Sequence, residues 1–262
     1  MLKSIIDESL ETGFDAKLIE YLTSNSNLPG PRGNLELANL FAKNLADYPP
    51  QKIVKLWGLC LKMTRISATE APVNTPQEFI PFCGTVGMSS IAAKNSSYFN
   101  DALNLLEKLA TDSRWRMREA VAMALQKLIS AEPGAVINEL NIWINSEDLL
   151  KLRAIVAGVA EPAILKNKEV AREAFQLNQK VVQKLKEIKD RKTESFRVLR
   201  KALAYTLSVV IVSLPKEGFE FLNRLVKIDD PDIKWIIREN LKKNRLIKNF
   251  PTEVNALKKS LN

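Results

Sequence analysis

Histidine is absent from all 262 residues of this chain. That omission removes Ser-His-Asp and Cys-His constellations, imidazole general bases and His metal ligands together. Two cysteines remain, Cys60 and Cys83. Their spacing fits no zinc or redox pair, and both lie in apolar surroundings, which predicts buried free thiols in a reducing, cytoplasmic setting. Catalysis would have to rest on carboxylates, and no metal or cofactor is expected.

What does recur is an acid six residues before an arginine. Four segments carry it: Asp112 to Arg118, Glu147 to Arg153, Glu194 to Arg200 and Asp232 to Arg238. An acid at or just before a helix start can accept free backbone N–H groups and meets the positive end of the dipole. An arginine between one and two turns later can bridge to an acid or to carbonyls of an adjacent repeat. Arg118, Arg153 and Arg200 are followed by largely apolar runs that include small residues such as Ala120, Ala122, Ala124, Ala154 and Ala157, and Arg238 by the more polar Glu239-Asn240-Leu241. Two segments share Trp-x-x-Arg-Glu, at Trp115 and Trp235.

The elements that must hold these residues are helices. Apolar residues recur with a 3.6-residue period over 14–23, 34–47, 50–66, 77–93, 98–110, 113–130, 133–145, 147–162, 167–188, 194–213, 216–228, 231–246 and 251–260. The connectors are short and punctuated by proline and glycine. The β-branched run Val209 to Val212 continues a helical pattern and reads as buried helix. The amino terminus, MLKSIIDESLETGFD, lacks the unbroken apolar core of a secretion signal. No stretch of about 20 apolar residues predicts a membrane span. No linker divides the chain, so 1–262 is expected as one domain. Residues 1–97 read as degenerate repeats, 98–246 as clearer ones and 247–262 as a capping helix.

The acid-to-arginine offset and the pairing of helices resemble the HEAT repeat family, over about residues 98 to 246. That resemblance implies an all-α, right-handed α-α superhelix of the HEAT/armadillo type, with about six helix pairs. The 47 residues between Arg153 and Arg200, against 35 and 38 for the other intervals, imply an elongated helix at 167–188. The loop Leu28 to Gly33 reads as a turn, although it could also cradle an anion. The resemblance implies further that second helices line a concave face.

Charge points to a working surface. The net charge is +9, and residues 184–201 and 234–248 each carry a net of +5. A basic groove would attract phosphate backbones or an acidic protein segment, unless the lysines form only a solvated face. With Arg118, Arg153, Arg200 and Arg238 assigned to the polar ladder, the binding candidates are Arg114, Arg116, Lys151, Arg197, Lys201, Lys234, Lys242 and Lys243. Trp115 and Trp235 occupy equivalent repeat positions and read as packing residues, or as groove-wall platforms for a base. Trp57 and Trp143 read as core.

The scaffold is also similar to that of HEAT-like DNA alkylation-repair glycosylases, whose site uses an Asp with Trp partners and an Arg from the following repeat. The corresponding residues here would be Trp115, Glu119 and Arg153, with Glu in place of Asp. The sequence therefore favours a non-enzymatic binding scaffold for an elongated or acidic partner, protein or nucleic acid. The alternative is a nucleic-acid-binding protein related to those glycosylases. A third reading is an interaction subunit whose apolar amino-terminal half docks a partner or a second copy.

Overall fold

A computed structural model describes residues 1–261. Fifteen α-helices and three single-turn 3-10 segments make up the regular structure, with no strand among the described residues. Contacts gather the chain into two compact units, Met1–Glu132 and Pro133–Asn262.

The first unit holds α1 (Leu2–Thr12), α2 (Ala16–Ser24), α3 (Leu35–Ala46), α4 (Pro50–Thr64), α5 (Phe79–Ala92), α6 (Phe99–Leu109) and α7 (Trp115–Ala131). Helix α1 is absent from the periodicity reading of the sequence. Acidic residues interrupt its apolar pattern, yet Leu2, Ile6 and Leu10 fall on one buried face. Gly13 closes it in the left-handed region, at φ 70°, with its N–H donating to Ser9 O.

Helix α5 is the centre of this unit, and all fourteen of its residues are buried. A helix enclosed on every side needs small residues where its neighbours approach. A Cβ on Gly84 would lie 2.7 Å from Met63 Cβ of α4, and one on Gly87 would lie 2.9 Å from Leu45 Cδ1 of α3. The hydroxyls of Thr85 and Ser89 donate back to Pro81 O and Val86 O, so these buried groups are hydrogen-bonded. Helices α2, α3, α4, α6 and α7 all pack against it.

The second unit holds α8 (Pro133–Trp143), α9 (Leu149–Gly158), α10 (Lys168–Glu187), α11 (Glu194–Ser213), α12 (Pro215–Val226), α13 (Pro231–Leu241), α14 (Asn244–Asn249) and α15 (Pro251–Ser260). Helix α11 packs against α9 and α13, while α10 and α12 each contact it and one of those two. The long helix expected at 167–188 is α10, and the β-branched run is buried within α11. The expected helix 231–246 is broken at Lys242 and Lys243. Asn240 is fully buried there, its side-chain amide donating to Leu203 O and its oxygen accepting from Ser208 N, both on α11. Beyond this anchor the chain turns and restarts as α14.

Candidate anion-binding face

None of the four acids of the recurring segments is itself the capping residue of its helix. Asp148 caps α9, Thr193 caps α11 and Asp230 caps α13, each one or two residues from the expected acid. Asp112 instead accepts from Arg114, through its backbone N–H and its guanidinium. Asp232 accepts from Arg191 and Arg200, so the latter bridges α11 to α13 from one segment to the next. Arg118 donates to Asp112 O and Ser113 O in its own loop, and Arg238 to Leu261 O.

Asp230 shows how such a site is balanced. Burial opposes its ionisation. The Arg191 guanidinium and the backbone N–H groups of Ile233 and Asp232 outweigh that cost and hold its carboxyl below its ordinary value. The hydrogen bond to Asp230 in turn raises Arg191 above its own ordinary value.

Two of the candidate ligand arginines are turned inward. Arg114, 2% exposed, donates to Asp112, Ser67 O and Ala71 O. Arg116, equally buried, pairs with the fully buried Glu78 at 3.1 Å and donates to Gly30 O and Asn74 Oδ1. Gly30 N also donates to Asn74 Oδ1, so the loop at 28–33 is tied down within its unit. Glu78 Oε1 and Arg116 Nε lack hydrogen-bond partners among the described residues. These two arginines organise loops and are not available to a ligand in this arrangement.

Trp115 is 42% exposed, and its ring lies 4.2 Å from the Arg116 guanidinium carbon. Trp235 also has an arginine over its ring, Arg200 at 4.4 Å, but this one comes from α11, whereas Arg116 directly follows Trp115. Trp57 and Trp143 are core residues. Glu119 sits one turn after Trp115 on α7, in the first unit, and Arg153 lies on α9, in the second.

The charge is divided sharply. The first unit carries 14 Lys or Arg against 14 Asp or Glu, whereas the second carries 25 against 16. The whole net charge of +9 therefore belongs to the second unit. Within it, Arg197, Lys201 and Tyr205 are exposed and fall at i, i+4 and i+8 along one face of α11. From α14, Arg245 donates to the Tyr205 hydroxyl at 2.8 Å, and its guanidinium carbon lies 4.6 Å from the ring centre. Lys243 Nζ lies 5.8 Å from the same ring.

The remaining candidates differ in how far their charge is already answered. Lys234 pairs with Asp229 and Lys242 with Glu239. Arg197 makes a long contact with Glu194, at 3.4 Å. Lys151 is half-buried on α9. By contrast, Lys201, Lys243 and Arg245 have no carboxylate partner among the described residues. Two of these cations, Lys243 and Arg245, thus stand over one exposed tyrosine, and the third, Lys201, precedes it by one turn of α11. Tyr205 and Arg245 were not among the sequence candidates. The four-residue spacing from Arg197 through Lys201 signals the tyrosine. The arginine joins it only because α13 ends before Lys242.

No group of three or more Cys, Asp or Glu side chains that could hold a metal ion occurs among the described residues. No described helix is long and apolar enough to cross a membrane. No protein-family description matches the chain, and no curated protein or solved structure matches it.

Proposed function

We propose that this protein is a non-enzymatic helical-repeat scaffold of the HEAT type, which holds an acidic, elongated ligand on the α11–α14 face of its second unit. The observation that carries the reading is the cluster of Lys201, Lys243 and Arg245 around Tyr205, without carboxylate partners among the described residues. Uncompensated cations grouped on one surface attract a polyanion, and the attraction weakens as salt rises. The repeat reading is supported by the Arg200–Asp232 bridge and by the row α9, α11, α13. Stacked repeats of that kind offer extended surfaces suited to elongated ligands.

The test is binding of labelled inorganic polyphosphate and of poly-glutamate, measured by fluorescence anisotropy at several salt concentrations. At least one should bind at low salt and dissociate as salt rises. The triple substitution Lys201→Glu, Lys243→Glu, Arg245→Glu should abolish binding with helicity unchanged. No binding of either polymer at low salt would refute the proposal.

The glycosylase-like alternative, which would use Trp115, Glu119 and Arg153, has weaker support from the sequence, because a Glu stands where that family's site uses an Asp.

A further inference from the structure

We infer that the polyanion held on this face is a single-stranded nucleic acid, and that Tyr205 is the platform on which one of its bases stacks. The inference rests on the basic-face reading above and adds to it the chemistry of the ligand.

Charge alone does not select among polyanions. The tyrosine does. Tyr205 is 47% exposed, in the middle of a helix face whose neighbouring apolar residues are buried. Its hydroxyl accepts from Arg245, which fixes the ring against α14 and removes much of its freedom before any ligand arrives. The Arg245 guanidinium carbon, 4.6 Å from the ring centre, lies over one face of the ring, so a base would stack on the side that it leaves exposed; Lys243 Nζ lies 5.8 Å from the same centre, and Lys201 and Arg197 follow one and two turns back along α11. At about 1.5 Å per residue, that stripe runs roughly 12 Å from Arg197 to Tyr205. A short run of cations ending on a held aromatic ring matches a sugar–phosphate strand whose unpaired base can lie on the ring. A duplex keeps its base faces covered by neighbouring pairs, so the ring would have nothing to stack. An acidic peptide would answer the cations but brings no flat face to lie on the exposed side of the ring.

Phosphate and base recognition can be read separately with the whole 262-residue chain. The probes are fluorescein-labelled twelve-residue oligo-dT and oligo-U, a twelve-base-pair duplex, and inorganic polyphosphate of matched charge. Both single strands should bind more tightly than the duplex and the polyphosphate; unequal affinity for oligo-dT and oligo-U would distinguish DNA from RNA as the strand of choice. Tyr205→Leu should weaken the single strands by about tenfold, the scale of one lost base–aromatic stack, and leave polyphosphate affinity within twofold. Tyr205→Trp should retain single-strand affinity, and circular dichroism verifies that both variants keep their helices. Lys201→Glu with Lys243→Glu should weaken every probe.

Polyphosphate binding without preference for single strands would overturn this inference and leave the basic-face reading standing. So would equal effects of Tyr205→Leu on all probes. Absence of binding by any probe at low salt would remove both.

Discussion

Arg200 on α11 donates to the Asp232 carboxylate on α13 while its guanidinium carbon lies 4.4 Å from the centre of the Trp235 ring. One side chain therefore ties two neighbouring helices by charge and covers an aromatic face of the second. Asp232 is shared with Arg191, which also holds the helix cap Asp230.

The cap and the ion pair at Asp230 can be separated. Asp230→Ala removes an acceptor of two backbone N–H groups and a partner of Arg191, and should cost about 2 to 3 kcal/mol. Asp230→Asn keeps a good cap and loses only the charge, so it should cost about 1 kcal/mol. Urea denaturation followed by circular dichroism measures both. Equal losses would mean that the cap contributes little.

The same carboxyl predicts a pH dependence. Its value in the folded protein lies below its ordinary one, so its contribution is fully present above about 3.9, the unfolded value, and disappears as pH falls through the lower folded value. Wild-type protein should therefore lose stability more steeply than Asp230→Asn as pH falls below about 3.9. Parallel melting profiles for the two proteins across that range would show that Asp230 is not linked to folding.

The buried pair Arg116–Glu78 should behave asymmetrically. Arg116→Ala leaves Glu78 enclosed without its cation partner and takes the donor from Gly30 O. That should cost about 3 to 5 kcal/mol. Combining Arg116→Met with Glu78→Gln removes both charges and should recover part of the loss. A double variant no more stable than Arg116→Ala would show that the loop contacts, not the stranded carboxylate, dominate.

Two glycines of α5 should not tolerate a methyl group, and one in α4 should benefit from it. Gly84→Ala places Cβ against Met63 and the Cys60 carbonyl, an overpacking that should cost about 1 to 3 kcal/mol. Gly87→Ala meets Leu45, Cys60 and Phe41 side chains and should cost less, because those can shift. Gly58 lies on the exposed side of α4 with nothing within 4 Å of an added Cβ, so Gly58→Ala should stabilise by about 0.5 to 1 kcal/mol. Thermal melts rank the three.

Cys60 and Cys83 are fully enclosed between α4 and α5, and burial pushes both thiols up, with Cys60 adding to the shift at Cys83. Neither should react with iodoacetamide in the native protein, and both should react in urea. Mass spectrometry counts the adducts. Alkylation of either without denaturant would contradict the enclosure.

Much of the helical order was legible because it depends on local rules. Helix α11 is bounded by Thr193, a capping residue, and ends before Pro215, and its sequence-predicted span of 194–213 is that of the structure. The placement of charges was less legible, because it depends on partners distant in sequence. Arg114 and Arg116 look like surface cations beside Trp115. Only folding brings Glu78, Asn74 and Gly30 to Arg116, across 38 to 86 residues. Arg245 was hidden for a related reason. Its approach to Tyr205 requires the chain break after Leu241, beside the point where Asn240 is bonded to α11. Helix α1 is faint in the sequence because Asp7, Glu8 and Glu11 dilute an apolar face that still spans three turns.

The complete enclosure of α5 has a kinetic meaning. An amide hydrogen in the middle of that helix, from Cys83 to Ala92, is bonded within the helix and screened by α3, α4 and α7. No fraying end or surface motion exposes it to solvent deuterium. Such hydrogens exchange only when the surrounding helices leave together, so their exchange rate reports the opening free energy of the entire first unit.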